Sequence, residues 1–273
     1  MAGRQGVTAL AVALRRLAWG CDVASSTRGN ITVTCLTYNR TELLERTVTS
    51  FLKMVRDRYR YRFVLLNNGS WSPSAISFVH SLEKSLAGWA QVCHLPPDHY
   101  PTKGPEGRRF RYTHGMLRLF QEAIREDTEY ILHLEDDWEM IRSDTFVEPC
   151  LDVLSRNPRI GQIRLRECAY DCSPTGDVNY HYLTKEPLRW AESYTYGMDT
   201  ICVSNLHWTN NPTLMRTEVV QAVFAVPSES EKDLMRQFLA LGYQTAQLFP
   251  GAFVHIGPPP SRFKNLGHSR QAS

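Results

Sequence analysis

No stretch of the 273-residue chain stays apolar for the roughly 20 residues that a helix needs to cross a bilayer. The apolar run near the start, Val7 to Leu14, stops at Arg15 and Arg16. That fits an amphipathic N-terminal helix rather than a signal peptide, which would end in a small-residue cleavage site. An excess of one charge is missing too. A net charge of +3, with Lys and Arg spread among Asp and Glu, excludes a nucleic-acid binder driven by phosphate neutralisation. Nor is there a disulfide framework. Seven cysteines, an odd number at irregular spacing, point to a reducing, cytoplasmic setting. Cys35 sits in an apolar run, where a thiol packs as a small hydrophobe. Cys168 and Cys172, with His181 nearby, have a C-x3-C spacing that does not suit zinc, and no second pair follows. The sequence also has no internal repeat.

What is present is a chain 42% hydrophobic, enough for one α/β domain with a substantial core. The β-branched run Ile31 to Leu36 predicts a strand, and Thr41 then opens a helix with Leu44, Val48, Phe51, Leu52 and Val55 on one face. Arg62 to Leu66 predicts a second strand, ending in the turn Asn67-Asn68-Gly69-Ser70 before a helix over 73–86. A short strand near 91–95 is followed by a polar Pro- and Gly-rich stretch, 96–109, expected to be a mobile loop. A helix over 112–125 then precedes a buried strand at Tyr130 to Leu134. The second half is less regular: a strand near 160–165, loops to about Asn205, helices over 217–224 and 231–241, and a last strand near 252–255. Gly242 is placed to end the second of those helices. The alternation argues for a mostly parallel central sheet with helices on both faces.

The strand Tyr130 to Leu134 runs directly into Glu135-Asp136-Asp137. In open α/β sheets the carboxyl ends of the strands are where ligands bind. Three adjacent carboxylates repel one another, and burying one unpaired is costly, so a cation is expected there. Mg2+ or Mn2+ suits carboxylate oxygens and leaves positions for phosphate and water. Without a cation, the acids read as a solvated turn.

Four segments together resemble the GT-A glycosyltransferases, in particular the family-2-like enzymes. Thr34-Cys35-Leu36-Thr37-Tyr38-Asn39-Arg40 looks like the opening strand and loop that seat the nucleotide. Asn67-Asn68-Gly69-Ser70 matches a turn where the family usually has Asp-Asp-Gly-Ser or Asp-Asn-Asn-Ser. With Asn67 in place of an aspartate, a uracil and a guanine nucleotide both stay open, because the amide donates as well as accepts. Glu135-Asp136-Asp137 is similar to the D-x-D motif in its Glu-Asp-Asp form. Glu231-Lys232-Asp233-Leu234, followed by Leu241-Gly242-Tyr243, falls on the acidic motif, helix and Gly-Tyr ending.

The resemblance implies a single GT-A catalytic domain over 30–257, with a nucleotide-binding half at 30–140 and an acceptor-side half at 141–257. An N-terminal extension, 1–29, and a flexible tail, 258–273, flank it. The implied activity is transfer of a sugar from a UDP- or GDP-linked donor to a carbohydrate or other hydroxyl acceptor. By the same resemblance Asp137 ligates Mn2+ or Mg2+, Glu135 and Asp136 contact ribose or metal-bound water, and His255 completes the metal site. Glu231 takes the place of the catalytic base, with Ser230 where the family usually has a further acid and Glu229 close enough to serve instead. Both glutamates also suit a helix N-terminus electrostatically. Arg111, Arg262 and Lys264 are candidates to neutralise a diphosphate. Trp208, Asn210 and Asn211 combine a flat apolar face with amides suited to a sugar, or else a packed Trp beside a turn. A sugar-phosphate nucleotidyltransferase would carry a Gly-rich loop after the first strand, and Thr37-Tyr38-Asn39-Arg40 has no glycine. The alternative from another class is a sugar-nucleotide-binding protein without transferase activity.

Overall fold

The computed structural model describes residues 31–38, 40–55, 61–67, 73–85, 104–124, 128–167, 189–204, 208–210, 212–226, 228 and 230–257. For residues 67, 75, 85 and 104–112 it describes the backbone alone. The first strand, β1 (Ile31–Thr37), leads into α1 (Thr41–Met54), then β2 (Tyr61–Asn67), α2 (Pro73–Ser85), α3 (Gly104–Ala123) and β3 (Tyr130–Glu135). Next come a short β4 (Trp138–Met140), a 3-10 turn at Asp144–Phe146 and α4 (Val147–Arg156). The remaining elements are β5 (Ile160–Arg164), β6 (Trp190–Tyr196), β7 (Asp199–Ser204), β8 (Thr213–Arg216), α5 (Thr217–Phe224), α6 (Glu231–Ala240), β9 (Gln244–Phe249) and β10 (Phe253–His255).

Among the described residues, eight strands form one mixed sheet in the order β2-β1-β3-β8-β5-β9-β7-β6, and β4 pairs with β10 in a separate two-stranded ribbon. β1 is parallel to β2 and β3, and β5 is parallel to β9. β8 lies antiparallel between β3 and β5, and β7 antiparallel between β9 and β6. Most strands therefore point one way, as expected, with β8 and β7 reversed.

Strand residues alternate between two cores because successive side chains point to opposite faces. Ile31, Val33 and Cys35 of β1 join Phe63 and Leu65 of β2 under α1, α2 and α4. Val64 and Leu66 of β2, with Ile131 and Met215, join the other core under α3, α5 and α6. Phe51 of α1 meets Tyr61 and Phe63 edge-on at 5.4 and 5.3 Å, and burying such a ring contributes roughly 1.5–3 kcal/mol.

The second face changes character near the carboxyl ends of the strands. Thr34, His133, Thr213, Arg164 and Gln247 are register neighbours on five consecutive strands, and all are buried. The Thr34 hydroxyl and His133 Nδ1 lie 2.9 Å apart. Burial pushes the His133 imidazole down to about 3, so the ring is neutral at physiological pH.

Two helices and four strands differ from the expected pattern. α3 begins at Gly104, inside the stretch 96–109 expected to be a loop. Pro105 sits in its first turn, where a missing N–H costs nothing. α4 was not anticipated; its Val147, Cys150, Val153 and Leu154 share a buried face, and Pro149 is tolerated because it too lies in the first turn. β6 and β7 lie in the region expected to be loops, and β8 and β9 were not anticipated. Gly242 ends α6 as expected, with φ +79°, a conformation that favours glycine. Among the described residues no helix is long and apolar enough to cross a membrane.

Candidate active site at the carboxyl ends of β1 and β3

β1 and β3 are hydrogen-bonded neighbours with Leu36 opposite Glu135, so the segments after them emerge side by side. The Thr37 hydroxyl donates to Asp136 Oδ2. Arg40, three residues beyond β1, reaches both acids. Its Nε donates to Asp136 Oδ2 at 3.1 Å, its Nη2 pairs with Asp136 Oδ1, and its Nη1 donates to Asp137 Oδ2 at 2.8 Å. Burial raises the Asp136 carboxyl above the ordinary carboxylate range, while the Thr37 hydroxyl bond and the Arg40 charge oppose that shift.

Two residues of α1 shape the acidic turn. Thr47 Oγ1 donates to the Asp136 carbonyl at 2.8 Å and accepts from Trp138 N at 3.2 Å. Ser50 Oγ accepts from Met140 N at 2.9 Å. Sequence reasoning did not single out either; the signal was a pair of hydroxyls spaced i, i+3 on the otherwise apolar face of α1.

The ribbon of β4 and β10 brings in His255, which pairs in register with Trp138 and stands edge-on to its ring at 5.1 Å. His255 Nε2 comes to 3.4 Å from Asp137 Oδ2, and Ile256 N donates to the Asp137 carbonyl at 2.8 Å. At Gly257 a Cβ would fall 2.8 Å from Asp137 Oδ2, so only glycine lets the chain pass this close to the carboxylate. Two cis ligands of an octahedral ion lie roughly 3 Å apart when each is about 2.1 Å from it. The Asp137 and His255 donor atoms are therefore spaced to share one ion. Among the described residues no group of three or more His, Cys, Asp or Glu side chains gathers for a metal.

Glu231 is the first residue of α6, and Ser230 is its N-cap: the Ser230 hydroxyl accepts from Asp233 N at 3.3 Å and donates to Asp233 Oδ2 at 2.7 Å. That cap explains the serine where an acid was expected. Asn210 Nδ2 donates to Glu231 Oε1 over a long 3.4 Å, and Trp208 Nε1 donates to Asn210 Oδ1 at 2.7 Å. Asn210 comes three residues before Thr213, which faces His133 across the β3–β8 pair. Glu231 thus belongs to the same edge of the sheet as the acids.

Trp208 requires a correction. It is fully buried, edge-on to Phe120, Phe224 and Phe238, so its ring face is turned into the core and does not stack on a sugar. Its indole N–H instead orients Asn210. Tyr38 is 52% exposed and available to a ligand beside the acids. Glu135 is half-buried at the end of β3. The backbone of Asn67 is level with Thr37 across β1 and β2, on the edge where a nucleotide was expected, and Arg111 lies within α3. Asn39, the 68–70 part of the turn, Cys168, Cys172, His181, Asn211, Glu229, Arg262 and Lys264 lie outside the described residues.

No family model and no curated protein sequence matches the chain. Solved structures do. GalNAc-T7 with UDP, GalNAc and Mn2+ superposes with a TM-score of 0.57 at 13% identity, over 85% of this chain and 45% of that one. The mannosyltransferase PcManGT from Pyrobaculum calidifontis, in complex with GDP-Man and Mn2+, gives 0.54 at 16%, over 94% and 66%. TarS from S. aureus, residues 1–349 with UDP, gives 0.52 at 10%, over 86% and 62%. The chain thus spans between about half and two thirds of the length of these neighbours. With this strand order, helices on both faces and those neighbours, the chain has the GT-A fold of nucleotide-sugar glycosyltransferases.

Proposed function

We propose that this chain is a metal-dependent glycosyltransferase moving a sugar from a UDP- or GDP-linked donor to an acceptor hydroxyl. The observation that carries the reading is the convergence of Asp137, His255 and Arg40 at the carboxyl ends of β1 and β3. Asp137 and His255 would hold Mn2+ or Mg2+, with imidazole favouring the transition-metal ion. Such an ion, when bound, supplies Lewis-acid stabilisation of charge on the departing diphosphate. The nucleotide is assigned to Thr37, Tyr38, Asn39, Arg40 and Asn67, the ribose to Glu135 and Asp136, and the diphosphate to Arg111. Glu231 accepts the proton of the attacking hydroxyl, giving inversion at the anomeric carbon. Asn210, held by Trp208, keeps that carboxylate oriented, and Glu229 is the neighbouring candidate. Asn211, next to Asn210 in the sequence, is assigned to the acceptor. In this reading 30–140 is the donor half and 141–257 the acceptor half of one catalytic unit working in the cytoplasm.

A thermal-shift screen of nucleoside diphosphates with Mn2+ tests the proposal. At 100-fold excess over Kd, the preferred nucleotide should add about 2.7 kcal/mol of stability. Asp137→Asn should remove the metal-dependent part of that gain and leave binding of the free nucleoside intact. His255→Ala should weaken Mn2+ more than Mg2+. If Asp137→Asn binds metal and diphosphate normally, the acidic turn is not the metal site. If no nucleoside diphosphate stabilises the chain, the transferase reading falls.

A further inference from the structure

Arg40 holds its two acids unequally. On Asp136 it makes a two-point contact, a hydrogen bond from Nε to Oδ2 and an ion pair between Nη2 and Oδ1, and Thr37 donates to Oδ2 of the same fully buried carboxylate. On Asp137 it makes a single bond, through Nη1. Two-point guanidinium–carboxylate pairs are the stronger and more directional kind, so Asp136 is the anchor and Asp137 the releasable partner. The oxygen that Nη1 holds, Asp137 Oδ2, is also the one that faces His255 Nε2. A guanidinium and a divalent ion on that oxygen would be like charges within a few ångströms.

We infer that Arg40 is the site's resident cation, occupying Asp137 until a diphosphate draws it away, so that the metal enters with the nucleotide rather than before it. The inference rests on the metal-dependent transferase reading and deepens it. Without a diphosphate, Nη1 neutralises Asp137 and keeps the affinity for a free divalent ion low. When phosphate oxygens arrive, Nη1 transfers to them while Nε and Nη2 stay on Asp136, and Asp137 Oδ2 is freed to face His255 and the ion. The guanidinium suits this exchange because its planar fork can hold one acid and still present a separate donor. No bond is made or broken in the exchange, and Arg40 keeps its charge throughout.

The test is a titration with Mn2+ alone, followed by calorimetry and by the EPR signal of free Mn2+, on wild type, Arg40→Gln and Arg40→Lys. The same titrations are repeated with saturating UDP or GDP. Arg40→Gln should bind Mn2+ alone about tenfold more tightly than wild type, the scale on which groups next to a metal ligand shift its affinity. It should also lose affinity for the diphosphate. Because phosphate itself ligates the ion, tighter Mn2+ binding with nucleotide is expected in every variant and is not the readout; the change with Mn2+ alone is. Should Asp136, left unpaired, prevent Arg40→Gln from folding, Arg40→Lys retains a charge on Asp136 without the fork and should also bind Mn2+ alone more tightly. If wild type binds Mn2+ in the presence of UDP or GDP, but a folded Arg40 variant binds Mn2+ alone no more tightly than wild type, the resident-cation role is wrong and the metal site stands. If wild type binds no Mn2+ even with UDP or GDP, the metal-dependent reading fails and takes this inference with it.

Discussion

The two halves of the sheet bring residues to the same edge by different routes. β1, β2 and β3 are parallel neighbours, and the segments after β1 and β3 leave together, so Thr37, Arg40, Asp136 and Asp137 meet directly. In the other half β8 and β7 run antiparallel to their neighbours, and residues arrive from strand starts, caps and a ribbon. Asn210 precedes the start of β8, Glu231 follows the cap of α6, and His255 comes through the pairing of β10 with β4. Parallel topology thus concentrates charge within one pair of strand ends, and antiparallel topology supplies single residues from separate turns. On the reading proposed above, the first half holds the donor and shares the ion with His255 of the second, and the second performs the proton transfer.

The largest expected effect breaks that division or establishes it. Glu231→Gln should lower turnover by about 10²- to 10⁴-fold, the usual contribution of a general base, with donor and metal affinity nearly unchanged. It is to be compared with Glu229→Gln in one assay at saturating donor, where a fall in kcat at constant donor binding points to the chemical step. An inactive Glu229→Gln beside an active Glu231→Gln would move the base by two residues. If both remain active, the base lies elsewhere or the reaction retains configuration, and the proposed inverting mechanism falls.

The same contrast explains what the sequence disclosed. β1 was legible from its β-branched residues and β2 and β3 from their apolar runs, and Glu135-Asp136-Asp137 could be assigned to a strand's carboxyl end. α1 was legible from Leu44, Val48, Phe51 and Leu52. The ribbon was not. β4 and β10 are three residues each, too short for an alternation signal, and Phe253 pairs with Met140 from more than a hundred residues away. His255 entered only through a family resemblance, and nothing in its neighbourhood indicated that Trp138 would lie against it. Trp208 was ambiguous for a related reason. A ring beside two amides reads the same on a surface as in a core, and only Phe120, Phe224 and Phe238, contributed by three different helices, decide between them.

An intermediate effect is expected at the seam between the halves, where His133 of β3 faces Thr213 of β8. The folded imidazole sits at about 3, against an ordinary value of 6.5, because it is buried. Between those values the unfolded chain takes up a proton that the folded chain refuses. Stability therefore falls as pH drops below 6.5, by about 1.4 kcal/mol per unit, or about 2 kcal/mol at pH 5. Urea midpoints at pH 7.5 and pH 5 should show this loss in wild type and a shallower one in His133→Asn. Parallel losses in the two proteins would mean that the seam is wet enough to accept the charge.

The smallest effect is expected from a second arginine in the donor half, and it sharpens the comparison by holding chemistry and distance nearly constant. Arg46 Nη2 lies 2.7 Å from Glu139 Oε2, and Arg40 Nη1 lies 2.8 Å from Asp137 Oδ2. The lengths hardly differ; the surroundings do. The Arg46 and Glu139 side chains are 54% and 39% exposed, whereas the Arg40 side chain, at 41%, is anchored on an Asp136 carboxylate with no exposure at all. Water screens the first pair and competes for both partners, and ordering two long side chains offsets most of what Coulomb attraction remains, so exposed pairs contribute about 0–1 kcal/mol. Arg46→Ala should accordingly shift the urea midpoint by less than that and leave the affinity for Mn2+ alone unchanged. Sodium chloride should erase even this difference, because exposed charges are screened over a Debye length of about 8 Å at physiological ionic strength. A change in Mn2+ affinity in Arg46→Ala as large as in Arg40→Gln would show that the ion responds to the net charge of the α1 region rather than to the guanidinium seated on Asp136 and Asp137.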